Sequence, residues 1–188
     1  GVVLDGILER RHRNALKPTF LMASHLRESK GIQDLIAAVA LLPSKIKKEI
    51  KIDLYGDGPY KAVLVEKMKQ YDVARCFVFR GSSPDLEKIF SEYDYMLQPT
   101  HMECFSLSIL ESLAANVPVI TTNVGGNVEV IVDGENGYIF KARDIYALKS
   151  IIERIYTGDI MIEINTRELI ANNFSLEKMV EIHLKCCL

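Results

Sequence analysis

Tyr95-Met96-Leu97-Gln98-Pro99-Thr100-His101-Met102-Glu103-Cys104-Phe105-Ser106-Leu107-Ser108-Ile109-Leu110-Glu111-Ser112-Leu113-Ala114-Ala115-Asn116-Val117-Pro118-Val119-Ile120-Thr121 is the stretch on which the fold turns. It opens on a short apolar run, Tyr95-Met96-Leu97, that reads as a strand stopped by Pro99. Helical periodicity follows from Ser106 to Ala115, and Val117 to Thr121 is a second continuous apolar strand. Strands that are apolar throughout, joined through helices, belong to a parallel sheet covered on both faces.

The same alternation extends in both directions. Upstream, Phe20-Leu21-Met22-Ala23 reads as a strand and Gly31 to Leu42 as a helix with Ile32, Leu35, Ile36, Val39 and Leu42 on one face. Ile50 to Tyr55 is the next strand, ended by Gly56-Asp57-Gly58-Pro59, and a helix runs on to about Tyr71. Cys76-Phe77-Val78-Phe79 is a strand closed by Gly81, and Leu86, Ile89 and Phe90 mark a short helix. Downstream, Gly137-Tyr138-Ile139-Phe140 is a sixth strand. Asp144 is placed to cap a helix through Tyr156 whose core face is Ala147, Leu148, Ile151, Ile152 and Ile155. The fold class is therefore α/β: a three-layer, doubly wound parallel sheet of about six strands, Rossmann-like, with ligands expected at the carboxyl ends of the strands. The tail from Met161 to Leu188 reads as two helices broken at Asn172-Asn173-Phe174-Ser175, with a second helix start at Ser175.

Composition fits this picture. The 188 residues suit one core, and 48% apolar and 26% charged residues are ordinary for a globular fold. A net charge of −2 makes no footprint for nucleic acid. The one basic run, Arg10-Arg11-His12-Arg13, reads as a solvated linker. Cys76, Cys104, Cys186 and Cys187 have no metal-ligand spacing and read as free thiols of a reducing compartment, which implies a cytoplasmic protein. No apolar run nears the roughly 20 residues that span a bilayer. The chain opens on Gly1-Val2-Val3 without an initiator Met and is read as a piece of a longer protein.

Candidate chemistry gathers in the loops after strands. Glu103 lies in the loop after Pro99, and Glu111 lies inside the helix that follows, tilted back toward its mouth. Between them the amides of Phe105, Ser106 and Leu107 lack intrahelical partners, and together with the helix dipole they favour a phosphate. A phosphate flanked by two hydroxyl-binding carboxylates would suit a nucleotide sugar. The plainer reading, a solvated Glu103 and an exposed Glu111, stands beside it, and spacing alone does not displace it. Ser24-His25-Leu26-Arg27-Glu28-Ser29-Lys30-Gly31 follows the first strand at the same sheet edge. Lys30 at a helix start opposes the dipole unless a phosphate is bound; a solvated lysine is the simpler alternative. Gly56-Asp57-Gly58-Pro59 and Gly125-Gly126 permit either tight turns or close approach to a ligand. There is no GxSxG elbow, HExxH or Walker loop, and no GxGxxG opens the first helix.

Taken in order, these pieces resemble the C-terminal domain of the GT-B-fold, retaining "group 1" glycosyltransferases. The likeness starts at Val3-Leu4-Asp5-Gly6-Ile7, continues through Ser24 to Gly31, and includes the turn at Tyr55-Gly56-Asp57-Gly58-Pro59. It takes in the paired glutamates Glu103 and Glu111 with Phe105 and Ala114, then Val117-Pro118-Val119-Ile120. Gly125-Gly126 with Glu129, and Asp133-Gly134 through Asn136-Gly137, complete the order.

The resemblance implies roles. Lys30 would contact the donor diphosphate, joined by His25 and Gly56 in the donor site. Glu103, with Cys104 beside it, would hold the donor sugar; the amides of Phe105, Ser106 and Leu107 would hold the distal phosphate. Glu111 would bind the ribose, and Phe79-Arg80-Gly81 would line the base. Lys30 and Glu103 would be catalytic, with no metal and no cofactor beyond the nucleoside diphosphate sugar substrate, UDP-linked or otherwise. Residues 1–17 would form an interdomain linker, 18–158 the nucleotide-sugar domain, and 159–188 helices available to a missing N-terminal domain. That domain would carry the acceptor site and any peripheral membrane contact, at the inner face of the membrane, so the fragment alone would be inactive. The family pattern is altered at three points: His25 stands for Arg, Cys104 for Gly and Asn116 for Gly. Histidine is a shorter, only partly charged donor at neutral pH, and Asn tolerates the left-handed conformation that Gly adopts. The rival functions are a decayed nucleotide-sugar-binding module and a nucleotide-sugar epimerase; a receiver domain would need an acidic pocket after the first strand.

Overall fold

The structure is a computed structural model and describes residues 2–10 and 17–174. Six parallel strands lie in the order β3-β2-β1-β4-β5-β6. They are β1 (Phe20–Ala23), β2 (Ile52–Tyr55), β3 (Phe77–Gly81), β4 (Tyr95–Gln98), β5 (Val119–Thr122) and β6 (Gly137–Phe140). The order reverses between β1 and β4, which makes that seam the topological switch point. Phe20 pairs with Ile52 on one side and with Tyr95 on the other.

Two cores sandwich the sheet because successive strand residues point to opposite faces. Phe20, Met22, Tyr95 and Leu97 enter one core, and Leu21, Ala23 and Met96 enter the other. On the first face lie α1 (Ile32–Ala40), α2 (Ser44–Glu49), α3 (Lys61–Gln70) and α7 (Ile145–Thr157), where α1 packs on α3 and α7. On the second lie α4 (Leu86–Ile89) and α5 (Leu107–Ala114), with α6 (Asn127–Val130) and α8 (Thr166–Asn173). As read from the sequence, the Asp144 carboxylate caps α7, accepting the Ala147 N–H at 2.9 Å. The short helices α2 and α6 have no counterpart in the sequence reading. α2 is too short and polar to show a stripe, burying only Ile46. No helix among the described residues is long and apolar enough to cross a membrane.

One expectation needs correction. Arg10 is not solvated: it is 7% exposed, and its guanidinium is ion-paired with the buried carboxylate of Asp94. Asp94 also accepts the Thr19 N–H at 2.7 Å, while the Arg10 N–H donates to the Ala115 carbonyl at 2.9 Å. Charge patterning cannot distinguish a solvated arginine from one whose partner is 84 positions away. The first tail helix, α8, packs on α5 and buries Thr166 and Ile170. Arg167 ties it down through the carbonyls of Ile7 at 3.0 Å and Ala114 at 2.6 Å. Asn116 stands at φ +60, and its side-chain amide donates to the Arg10 carbonyl at 3.0 Å and accepts the Thr166 N–H at 3.1 Å. The second tail helix, Cys186, Cys187 and the run Arg11-His12-Arg13 lie outside the described residues.

Candidate functional site

The loops that leave β1 and β4 face each other across the switch point and are fastened to one another. The His101 N–H donates to the Ser29 carbonyl at 2.7 Å, and the Thr100 hydroxyl donates to the same oxygen at 3.1 Å. His101 Nε2 meets the Asp34 carboxylate on α1 at 2.6 Å. Gly31, at φ +70, sits so close to Pro99 that a Cβ would fall 1.8 Å from its carbonyl oxygen. On the other flank Gly125, at φ +52, lies against the Glu103 carbonyl, where a Cβ would be 1.8 Å away. This glycine therefore serves close approach to the site loop as well as its own turn.

Between the loops lies a cleft of about 330 Å³. Its walls are Ala23, Ser24, His25 and Lys30 from one side, and Gln98, Glu103 and Phe105 through Ser108 from the other. Lys30 Nζ and Glu103 Oε2 are 2.7 Å apart, with side chains 22% and 16% exposed. Glu103 also accepts from Gln98 Nε2 at 3.4 Å. Ser106 is the cap residue of α5, yet its hydroxyl caps nothing. Among the described residues no group accepts the N–H of Phe105, Ser106 or Leu107. A cation, a carboxylate and the positive end of a helix thus converge on one cleft, an arrangement that suits an anion joined to a hydroxyl-bearing group.

A second hollow, about 210 Å³, adjoins the first through Ala23 and Ser24 and is walled by Tyr55, Gly56, Ser82, Ser83 and Leu86. Beneath it, Tyr55 and Tyr93 share a hydroxyl–hydroxyl bond at 3.0 Å, and the Tyr93 hydroxyl donates to Asp53 at 2.5 Å. Burial, then the bonds to Asp53 and Tyr55, push the Tyr93 phenol far above its ordinary range. A larger hollow of about 430 Å³ lies on α3 alone and includes no residue of the loops at the switch point.

Of the residues singled out from sequence, the structure gathers His25, Lys30, Glu103, Phe105, Ser106 and Leu107 in the first cleft and Gly56 in the second. Cys104 is an exposed free thiol on the same loop, and its carbonyl accepts the Gly126 N–H at 2.8 Å. Glu111, one turn into α5, lines neither cleft. Its carboxyl is raised above the usual carboxylate range, first by burial and then by Glu87. Phe79 and Arg80 also line neither hollow. Phe79 packs on the core with Lys61 Nζ 5.4 Å from its ring centre, and Arg80 Nε donates to Asp53 at 2.9 Å. The residues just after them, Ser82 and Ser83, reach the hollow instead. Sequence reading missed Gln98, and it quoted Ser24 at the head of a candidate stretch without giving it a role; the Ser24 hydroxyl oxygen is buried without a partner. Gln98 closes a strand whose other residues are apolar, and nothing local marks its amide as part of the site.

Fold and site together define a doubly wound α/β domain with a ligand cleft at its switch point. The sequence model of the glycosyl transferases group 1 matches residues 7–174, and the chain belongs to that family. It is 32% identical over 121 residues to N-acetyl-alpha-D-glucosaminyl L-malate synthase of Bacillus anthracis, covering 64% of this chain and 31% of that protein. Capsular polysaccharide biosynthesis glycosyltransferase CapM of Staphylococcus aureus is 27% identical, covering 95% of this chain and 50% of that one. HepE of Anabaena, solved with UDP-glucose, shares the fold at TM-score 0.80 and 17% identity, over 100% of this chain and 55% of that one. The architecture is that of the C-terminal half of the GT-B fold, and the chain spans between 31% and 50% of these two curated relatives.

Proposed function

We propose that this chain is the donor-binding domain of a retaining, metal-independent glycosyltransferase. It would transfer a sugar from a nucleoside diphosphate sugar to an acceptor held by another part of a longer protein. The observation that most supports this is the Lys30–Glu103 pair at 2.7 Å beside the open N-terminus of α5. In this reading the donor diphosphate separates the pair. Lys30 turns to the phosphates with His25, and the amides of Phe105, Ser106 and Leu107 take the distal phosphate. Glu103 is then left to accept hydrogen bonds from the sugar hydroxyls. When the bond from the anomeric carbon to the diphosphate oxygen breaks, negative charge builds on the departing diphosphate. Lys30 and the helix dipole stabilise that charge without reorganising, which is the acceleration this half supplies. The hollow at Gly56, Ser82 and Ser83 takes the nucleoside end, and Glu111 binds the ribose once the donor is seated. The solved complex of HepE with UDP-glucose supports a uridine diphosphate donor.

Calorimetric titration of the chain with UDP, GDP and ADP tests the proposal. At least one is expected to bind, and Lys30→Ala is expected to weaken it by about ten- to a hundredfold, the worth of a charge-assisted hydrogen bond. A folded chain that binds none of the three would overturn the donor role and leave family membership untouched.

A further inference from the structure

Ser106 occupies the cap position of α5 in extended backbone, φ −98 and ψ 111, the geometry from which a serine hydroxyl ordinarily accepts the N–H two or three residues on. It does not do so here. Its oxygen receives a hydrogen bond from Gln98 Nε2 at 2.8 Å, its proton can go to Gln98 Oε1 at 3.2 Å, and Ser108 Oγ lies 3.0 Å away. Gln98 is 2% exposed and Ser106 9%, so this side-chain pair is largely buried within the cleft wall. Gln98 is itself fixed from β5, where the Thr121 hydroxyl donates to its carbonyl at 3.0 Å.

We infer that Gln98 is a positioning residue: it holds the Ser106 hydroxyl away from its own helix, and thereby keeps the amides at the mouth of α5 available to an anion. The inference rests on the donor-site reading above and adds to it how the phosphate-binding end of that site is kept open. A serine at a helix start is a built-in competitor. Turned to its capping position, its oxygen would accept the Ser108 or Ile109 N–H and place a lone pair where a phosphate oxygen must come. The cap would also offset part of the helix's positive end. No described group accepts either N–H. A bidentate amide partner gives the hydroxyl a donor and an acceptor at once, which a lone cap site cannot. A leucine of similar size at position 98 would offer neither, and the hydroxyl would return to its helix.

The test uses Gln98→Leu, Ser106→Ala and the double variant, with the nucleoside diphosphate that the unmodified chain binds among UDP, GDP and ADP. Gln98→Leu is expected to weaken binding about three- to tenfold, the scale of one cap hydrogen bond. The double variant is expected to return to the affinity of Ser106→Ala alone, because no hydroxyl remains to compete. Gln98→Met, read alongside, repeats the comparison with an unbranched side chain, and thermal melts establish that each variant folds. Unchanged affinity in Gln98→Leu, or a loss that removing the Ser106 hydroxyl fails to relieve, overturns the inference. In that event the donor-site reading stands as long as binding still depends on Lys30. If the unmodified chain binds none of the three nucleotides, both fall together.

Discussion

At the scale of single residues, the cleft pairs one cation with one carboxylate and, among the described residues, leaves the N–H groups of Phe105, Ser106 and Leu107 without an acceptor. Lys30 and Glu103 are mostly shielded and hydrogen-bonded across the switch point. Because UDP lacks the sugar that is transferred, Lys30 and Glu103 are expected to separate by assay. Glu103→Gln should leave UDP affinity within about threefold while lowering turnover of the full-length enzyme about a hundredfold or more, the range seen when a group aimed at the reacting centre is lost. Equal losses in both would place Glu103 on the nucleotide rather than the sugar. Glu111 adds a pH signature. Its carboxyl is raised by burial first and by Glu87 second. A carboxyl raised in the folded state contributes stability below its unfolded pKa, and that contribution is lost as pH rises through the folded value. Glu111→Gln is therefore expected to melt higher than the parent at pH 7 and no higher at pH 3. A lower melting point at pH 7 would show the ionised carboxylate to be stabilising. If the carboxylate holds the ribose, donor affinity should fall on acidification earlier than for an ordinary glutamate, and Glu87→Gln should move that fall to lower pH.

At the scale of elements, the two site loops are set by how closely their main chains approach. Gly31→Ala places a methyl group 1.8 Å from the Pro99 oxygen at φ +70. It is expected to cost at least about 3 kcal/mol in denaturant unfolding, since strain and overpacking add. A change under about 1 kcal/mol would mean that the loops move apart freely. The six strands were legible because every one is short, largely apolar and bounded by turn residues, and α1 and α7 because their apolar stripes are complete. The helix α6 and the fastening of the loops by Asp34, His101 and Ser29 were not. A four-residue helix is too short to show a stripe, and the fastening depends on contacts between segments more than 60 positions apart, such as the His101–Asp34 bond. The candidate site was less legible: strand–loop–helix order brings Lys30, Glu103 and the mouth of α5 to one sheet edge, but only the family resemblance set them above solvated side chains. Gln98 was not legible, because its role lies in which hydroxyl it holds.

At the scale of the whole molecule, the segment from Val2 to Arg10 and the helix α8 close the second core together. Val2 and Ile7 are buried with Ile170, and the Val2 N–H donates to the Phe174 carbonyl at 3.1 Å. Arg10→Ala leaves the Asp94 carboxylate buried with its cation removed, and is expected to cost about 3–5 kcal/mol; a loss below about 1 kcal/mol in urea unfolding would show the pair to be dispensable. The proposed donor site, in the cleft between β1 and β4, would seat a nucleoside diphosphate on the open end of α5. Amide-resolved NMR of the chain during titration with UDP, GDP and ADP tests it most directly. The largest shifts on saturation are expected at Phe105, Ser106, Leu107 and Ser108, with smaller ones at His25, Lys30 and Ser82. Shifts confined to the outer face of α3, or a spectrum unchanged by all three nucleotides, would contradict it.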